Sequence, residues 1–276
     1  MNISDILDKS LKSGISGASA MTIQVSSLMW LRTTMNYQYK FGGQMIPTIK
    51  YLYKEGGIMR FYRGYIPALM VGPISRFGDT FTNELALSVF KDSHVPLSVQ
   101  TGCASVMAGC WRILTLPIDS WKTSLQVHGN NGINILRMKV EKEGVKGLYN
   151  GALASSTATM IGHFPWFTTY NYMNLYIPKI KYSDEPMKAL GRNAFIGFCA
   201  SLVSDTVSNS MRVIKTYKQT HEEKIGYRRV VKEVLEKDGI GGLLFRGLKT
   251  KIFTNGLQGI IFSVFYKLLS EKLENK

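Results

Sequence analysis

The chain is short of the residues that build a site on their own. It has three cysteines, Cys103, Cys110 and Cys199, all inside apolar stretches and at no metal-ligand spacing. That argues against a disulfide framework, a metal centre or a catalytic thiol, and in favour of cysteines packed as small apolar side chains. No Ser-His-Asp set, metal-ligand cluster or glycine-rich phosphate loop emerges from the residues, so no catalytic residue, metal or cofactor is expected and the chain does not read as an enzyme. Acids are scarce: 19 Asp and Glu face 34 Lys and Arg, a formal charge of +15. Such an excess calls for an anionic partner, either nucleic acid or an anionic membrane surface. No nucleic-acid motif is present. The opening residues M-N-I-S-D-I-L-D-K-S carry acids and no apolar core, so neither a secretory signal nor an Arg-rich transit peptide is visible.

A clean apolar run of twenty residues is missing as well. Mean hydropathy is only −0.02. Yet apolar and small residues gather in windows near 12–31, 65–90, 97–117, 151–177, 190–211 and 248–269. Each window is long enough, as a helix, to cross about 30 Å of hydrocarbon. Arg76, Asp79, Arg112, His163 and Asp205 interrupt them. In a membrane such residues face an interior or a water-filled cavity; in a soluble helical bundle they are buried charges. Lys40, Lys50, Lys54, Arg137, Lys139, Lys142, Lys146, Arg228, Arg229 and Lys232 fall between windows. Bases beside apolar windows are what an anionic bilayer face selects.

What is abundant is repetition. P-I-D-S-W-K over 117–122 is echoed by S-L-M-W-L-R over 27–32 and S-M-R-V-I-K over 210–215. About 30 residues after each, a second element recurs: K-E-G-G-I-M-R-F-Y-R-G ending at Gly64, E-K-E-G-V-K-G-L-Y-N-G ending at Gly151, and E-K-D-G-I-G-G-L-L-F-R-G ending at Gly247. Three tandem units result, about 8–92, 95–181 and 186–273, too short to bury their apolar faces alone and therefore parts of one domain over 1–276. Each unit reads as a long helix, a short amphipathic helix (near 46–54, 133–140 and 227–235), a Glu-Gly or Asp-Gly turn, and a second long helix.

This pattern resembles the mitochondrial carrier family, whose frame is P-x-[DE]-x-x-[KR] followed by E-G-x(4–5)-[YWF]-[KR]-G. Only the central copy, Pro117, Asp119 and Lys122, matches the first frame in full. The second is matched by Tyr62-Arg63-Gly64 and Phe245-Arg246-Gly247, with Asn150 replacing the base in the middle copy. The resemblance implies an all-α membrane protein: six transmembrane helices in pseudo-threefold array, with short helices on the matrix side. It implies the mitochondrial inner membrane, both termini toward the intermembrane space, and a central cavity opened alternately to each side. It also implies lipid sites for cardiolipin or another anionic lipid at Gly64, Gly151 and Gly247, where helix N-termini meet phosphates.

The departures from that pattern are specific. Residues seven apart share a helix face, so the three acid positions hold Met29, Asp119 and Arg212, and the base positions Arg32, Lys122 and Lys215. One acid therefore stands among five charges, and this matrix-side network leaves surplus positive potential that would attract an anion. Asp119 is expected to pair with Lys215 or with Arg212. Seven residues earlier lie Thr22, Arg112 and Asp205, and Arg112 and Asp205 are expected to approach across the axis. Before them come Gly14 and Ala18, Ala104 and Ala108, and Gly197 and Ser201, at the spacing of small packing residues. On the opposite side the family's [FY]-[DE]-x-x-[KR] element is reduced to Glu84, with Leu87 at its base position. Tyr170, Asn171 and Asn174 stand in the second copy, and Phe265, Tyr266 and Leu269 in the third. The family's substrate contact positions fall on Val71, Gly72, Ala158, Thr159, Thr254 and Asn255, none charged, with Arg76, Asp79 and His163 as further cavity polar groups. Carriers of nucleotides, carboxylates or basic amino acids usually place a charge at one of those positions.

Two functional expectations follow. One is transport of a small solute by alternating access, with apolar plugs such as Met29, Leu87 and Leu269 in place of lost ion pairs. The other is a carrier fold without transport, recruited as an accessory subunit of a larger inner-membrane complex of respiratory-chain type.

Overall fold

The computed structural model describes residues 3–89, 97–180 and 185–274, with side chains for 22–75, 77, 78, 82, 99–180 and 185–261. The chain order is helix throughout: α1 (Ile3–Phe41), α2 (Met45–Phe61), α3 (Tyr65–Val89), α4 (Leu97–Leu114), α5 (Leu116–His128), α6 (Gly132–Glu143), α7 (Ala152–Tyr176), α8 (Pro186–Thr220), α9 (Tyr227–Phe245) and α10 (Leu248–Glu274). Short 3₁₀ turns flank α6. The expected short helices are therefore α2, α6 and α9.

One residue type explains why the middle unit differs. At the frame's first position α1 has Ser27 and α8 has Ser210, and both helices run unbroken for 39 and 35 residues. The middle unit has Pro117, which has no N–H to donate and whose ring crowds the carbonyl four residues back. Its long helix divides at Thr115 into α4 and α5, with the proline in the first turn of α5. The Thr115 hydroxyl donates to the Arg112 carbonyl at 3.2 Å, satisfying an acceptor at the break.

Each long helix packs on the next in chain order, α1 on α3, α3 on α4, α4 on α7, α7 on α8 and α8 on α10. Because α10 then returns to α1, they form a closed ring. A pair of positive-φ glycines that recurs in every unit makes this possible. Gly57 (φ 60°), Gly144 (φ 65°) and Gly239 (φ 64°) turn the chain after the acid of the second element; Gly64 (φ 81°), Gly151 (φ 91°) and Gly247 (φ 68°) start the second long helix. At the second set the absent side chain also matters. A Cβ on Gly64 would lie 2.9 Å from the Lys122 carbonyl oxygen, one on Gly151 3.1 Å from that of Lys215, and one on Gly247 3.2 Å from that of Met35. Each unit thus lays its turn against the next unit's first helix, in cyclic order.

The core is divided among these seams. Val25, Met29 and Ala68 join α1 to α3; Tyr39, Val213 and Val234 join α1, α8 and α9; Ala154, Ile214, Ile225 and Val230 join α7, α8 and α9. Ala104 and Ala108 are buried as packing residues should be, whereas the side chain of Ala18 lies outside the described residues. On the outer faces, large apolar side chains stand exposed: Ile66, Phe77, Val106, Ile161, Phe195 and Phe253 among them. Among the described residues no helix is long and apolar enough, by average hydropathy, to cross a membrane.

Candidate functional site

The ring encloses a cavity of 430 Å³. Its wall holds Arg32, Arg112, Lys122, Arg212, Lys215 and Lys251, and among the described residues a single acid, Asp119. Val71, Gly72, Ala158, Thr159, Thr254 and His163 also line it. Asn255 turns instead toward Asp205, donating to its Oδ2 at 2.5 Å. The side chains of Arg76, Asp79, Glu84, Leu87, Phe265, Tyr266 and Leu269 lie outside the described residues.

In the cavity wall the first frame assembles a network. Asp119, 7% exposed, bonds its own-helix neighbour Lys122 through Oδ1, and Lys215 Nζ approaches its Oδ2 at 2.6 Å. Asp119 and Lys122 stand three positions apart, so both point to one side of α5; Lys215 arrives from α8. One carboxylate thus serves two ammonium groups. At the corresponding place on α1 the Met29 side chain is fully buried, and Gln126 Nε2 lies 3.5 Å from its sulfur.

Arg112 is expected to approach Asp205; the contacts described for Asp205 are with two other residues. Asp205 is held by Arg212, whose Nη2 lies 2.9 Å from Oδ1, and by Asn255 at the other oxygen. The reason is local: Arg212 stands two helical turns after Asp205 on the same helix and reaches back along it, with Ser208 Oγ accepting from its Nε at 3.2 Å. Arg212 for the same reason is not a partner of Asp119. Arg112 and Arg32 are in the cavity wall.

Two sets of residues escaped the sequence reading. The first is Asn36, Gln126 and Gln219, each four residues after its unit's base. Asn36 donates to Gln126 Oε1 at 2.5 Å, and Gln219 Nε2 lies 3.3 Å from Asp119 Oδ2 and 3.1 Å from Ser120 Oγ. Their equal spacing in all three copies was a signal available in the sequence. The second set had no such signal. Arg60 donates to the carbonyls of Gln126 and Val127 at 2.9 Å each; Lys139 donates to that of Gln219; Arg246 donates to that of Lys40 at 3.3 Å. Each is a base of one unit on the C-terminal end of the next unit's first helix, where free carbonyls and the helix dipole favour a cation. The three occupy different places in their repeats. Arg60 and Arg246 also meet Glu55 and Asp238, at 2.9 and 2.8 Å. Lys139, 2% exposed, is pulled down to about 8 by burial, with Glu143 opposing the shift.

With this geometry in place, comparison with known proteins gives a consistent answer. The family described as mitochondrial carrier protein matches three times, over residues 4–94, 95–181 and 187–276. The chain belongs to the mitochondrial carrier family. Similar proteins include the mitochondrial adenyl nucleotide antiporter SLC25A24 of Danio rerio, 25% identical over 60% of this chain and 38% of that protein. Mitochondrial substrate carrier family protein E of Dictyostelium discoideum is 28% identical over 56% of each chain. Mitochondrial ornithine transporter 1 of Saccharomyces cerevisiae is 24% identical over 74% of this chain and 75% of that one. The matched stretch covers less than two thirds of the first two relatives.

Proposed function

We propose that the chain is a carrier of a small solute across the mitochondrial inner membrane, working by alternating access, and not an enzyme. The observation that carries this reading is the closed ring of long helices around a polar cavity, with Asp119 paired to Lys122 and Lys215 in its wall. The average-hydropathy measure is a poor guide to such helices, since each gives one side to the cavity and the other to lipid. The exposed apolar side chains of α3, α7, α8 and α10 supply the lipid-facing side. In this reading α2, α6 and α9 lie on the matrix side and both termini face the intermembrane space.

Gates work only if they are worth more in one state than the other. The Asp119 network and the Gln219 bond to it are contacts between α5 and α8 that must part for the matrix side to open. Gly64, Gly151 and Gly247 start helices whose free N–H groups suit the phosphates of cardiolipin. The accessory-subunit reading rests on the missing motif acids, and the structure weakens it, because Asp119 engages both neighbouring bases and Arg212 has Asp205.

The test is reconstitution. Purified protein in cardiolipin-containing liposomes should show saturable uptake of a labelled solute from a panel of adenine nucleotides, ornithine, thiamine pyrophosphate, phosphate and small carboxylates. No uptake of any of these, together with comigration of the native protein with a megadalton assembly in mild detergent, would move the conclusion to the accessory subunit.

A further inference from the structure

Four elements converge on the end of α8, and each meets a different residue there. The Lys40 ammonium, from the end of α1, lies 3.6 Å from the centre of the Tyr217 ring. Lys139, from α6, donates to the Gln219 carbonyl. His128, the last residue of α5, brings Nε2 to 2.7 Å from the Thr220 carbonyl oxygen. Glu233, from α9, accepts from the Tyr217 hydroxyl at 2.9 Å and lies 3.8 Å from Nε2 of His221, just past the helix. All of these groups lie outside the apolar windows of the sequence.

Two of the converging groups are cations buried without an anion. Lys40 is 8% exposed and Lys139 2%. Among the described residues neither ammonium touches a carboxylate: Lys40 has the Tyr217 ring and Lys139 has one carbonyl. The acids in the neighbourhood are engaged elsewhere. Glu233 accepts from Tyr217 and, at 2.8 Å, from Arg229; Glu143 accepts from Asn150 at 3.4 Å and lies 3.9 Å from Lys224; Glu222 is exposed and acts on both lysines through space. Arg246, which caps the Lys40 carbonyl, acts against the charge on Lys40, and Lys218 against that on Lys139. An ammonium group so placed holds its proton weakly. Burial, and after it the charge of Lys139, pulls Lys40 down to about 7, and burial pulls Lys139 down to about 8. Burial also lowers His128 and His221 from their ordinary value.

We propose that the last turn of α8 is a proton-sensitive latch on the matrix side, closed while Lys40 and Lys139 are short of protons and released as they take them up. This rests on the transport reading, in which that end opens. When α8 parts from α1 and α6, both ammonium groups reach water and regain their ordinary basicity, so the open form binds more protons than the closed one. Between about 7 and 10.5 for Lys40, and between about 8 and 10.5 for Lys139, closure therefore strengthens as pH rises. Below 6.5 the two imidazoles act in the same direction. Inside its range each lysine changes the closed-to-open ratio by about tenfold per pH unit.

The experiment uses the full chain in nanodiscs of phosphatidylcholine and cardiolipin, carrying Cys103→Ser, Cys110→Ser and Cys199→Ser. Spin labels go on Gln44→Cys and Glu223→Cys, exposed positions just past α1 and α8, and their separation is measured by double electron–electron resonance from pH 6.5 to 9. The ratio of short to long separations should rise about tenfold or more between pH 7.5 and 8.5. Lys40→Met combined with Lys139→Met keeps apolar stems in place and cannot take a proton, so the ratio should stay high and flat. Lys40→Arg, charged at every pH used, should lower it throughout. A ratio that does not change with pH, a dependence that survives the double Met variant, or one that vanishes in His128→Gln with His221→Gln while both lysines are present would overturn the latch. Solute uptake into liposomes separates the two claims. A pH-dependent ratio without uptake leaves the latch and removes transport; uptake with a pH-independent ratio leaves transport and removes the latch.

Discussion

Replacing Asp119 by Asn tests how α5 and α8 are held together in the cavity wall. The substitution keeps the shape of the side chain and removes the one negative charge between Lys122 and Lys215. Asp119 is 7% exposed, and the side chains of the two lysines are only 20% and 22% exposed. Each pair is worth roughly 4 kcal/mol of gross attraction at an effective dielectric of about 20, most of it offset by desolvation. What remains on breaking a buried pair is about 3–5 kcal/mol, because the partner is left uncompensated. For a chain of this size that lowers the apparent melting temperature by on the order of 6–20 °C. The four tryptophans allow the transition to be followed by intrinsic fluorescence in detergent. Asp119→Asn combined with Lys215→Met should recover a good part of the loss, since the second change removes one of the stranded charges. A drop smaller than about 2 °C, or a double variant no better than the single, would show that Asp119 is not the keystone of the network.

Three further outcomes follow from the same structure. Lys139 is pulled down to about 8 in the fold from an ordinary value of 10.5, so between those values the unfolded chain binds the extra proton and stability rises with pH. Below about 8 the slope vanishes, and Lys139→Met should flatten the rise, by at most about 3 kcal/mol, in denaturation followed from pH 7 to 10.5. Arg60→Met strips the donors from the Gln126 and Val127 carbonyls and should cost about 2–4 kcal/mol, read as a fall in melting temperature. Gly57→Ala and Gly64→Ala separate strain from crowding. Gly57 has nothing within 4 Å of its would-be Cβ and should lose only about 1 kcal/mol to its positive φ, whereas Gly64 also meets the Lys122 carbonyl and should lose about twice that or more.

Much of the architecture was legible in the sequence because it recurs. The two frames located the three short helices and the glycine turns, because spacing and the special backbone of glycine repeat in every unit. The wall of the cavity was legible too: counting from the aromatic of the second element reached Val71, Ala158 and Thr254. The Arg212 and Asn255 contacts of Asp205 were not legible because equal depth on neighbouring helices does not settle which partner a long side chain takes. Arg212, on the same helix as Asp205, meets it at 2.9 Å. The bases at Arg60, Lys139 and Arg246 were not legible because they do a common task from unlike positions in their repeats, and only the fold brings each to a helix end.

That last feature has a mechanical side. Three staples fasten the same end of the ring, and they are unequal: two are guanidinium groups tied also to a carboxylate, and the third is an ammonium on one carbonyl that holds its proton less tightly than an ordinary lysine. A collar with one weaker clasp does not part everywhere at once. The weaker clasp lies at the seam between the second and third units, where Lys139 reaches the Gln219 carbonyl and the Asp119–Lys215 pair supplies the fastening that a second carboxylate supplies at the other two.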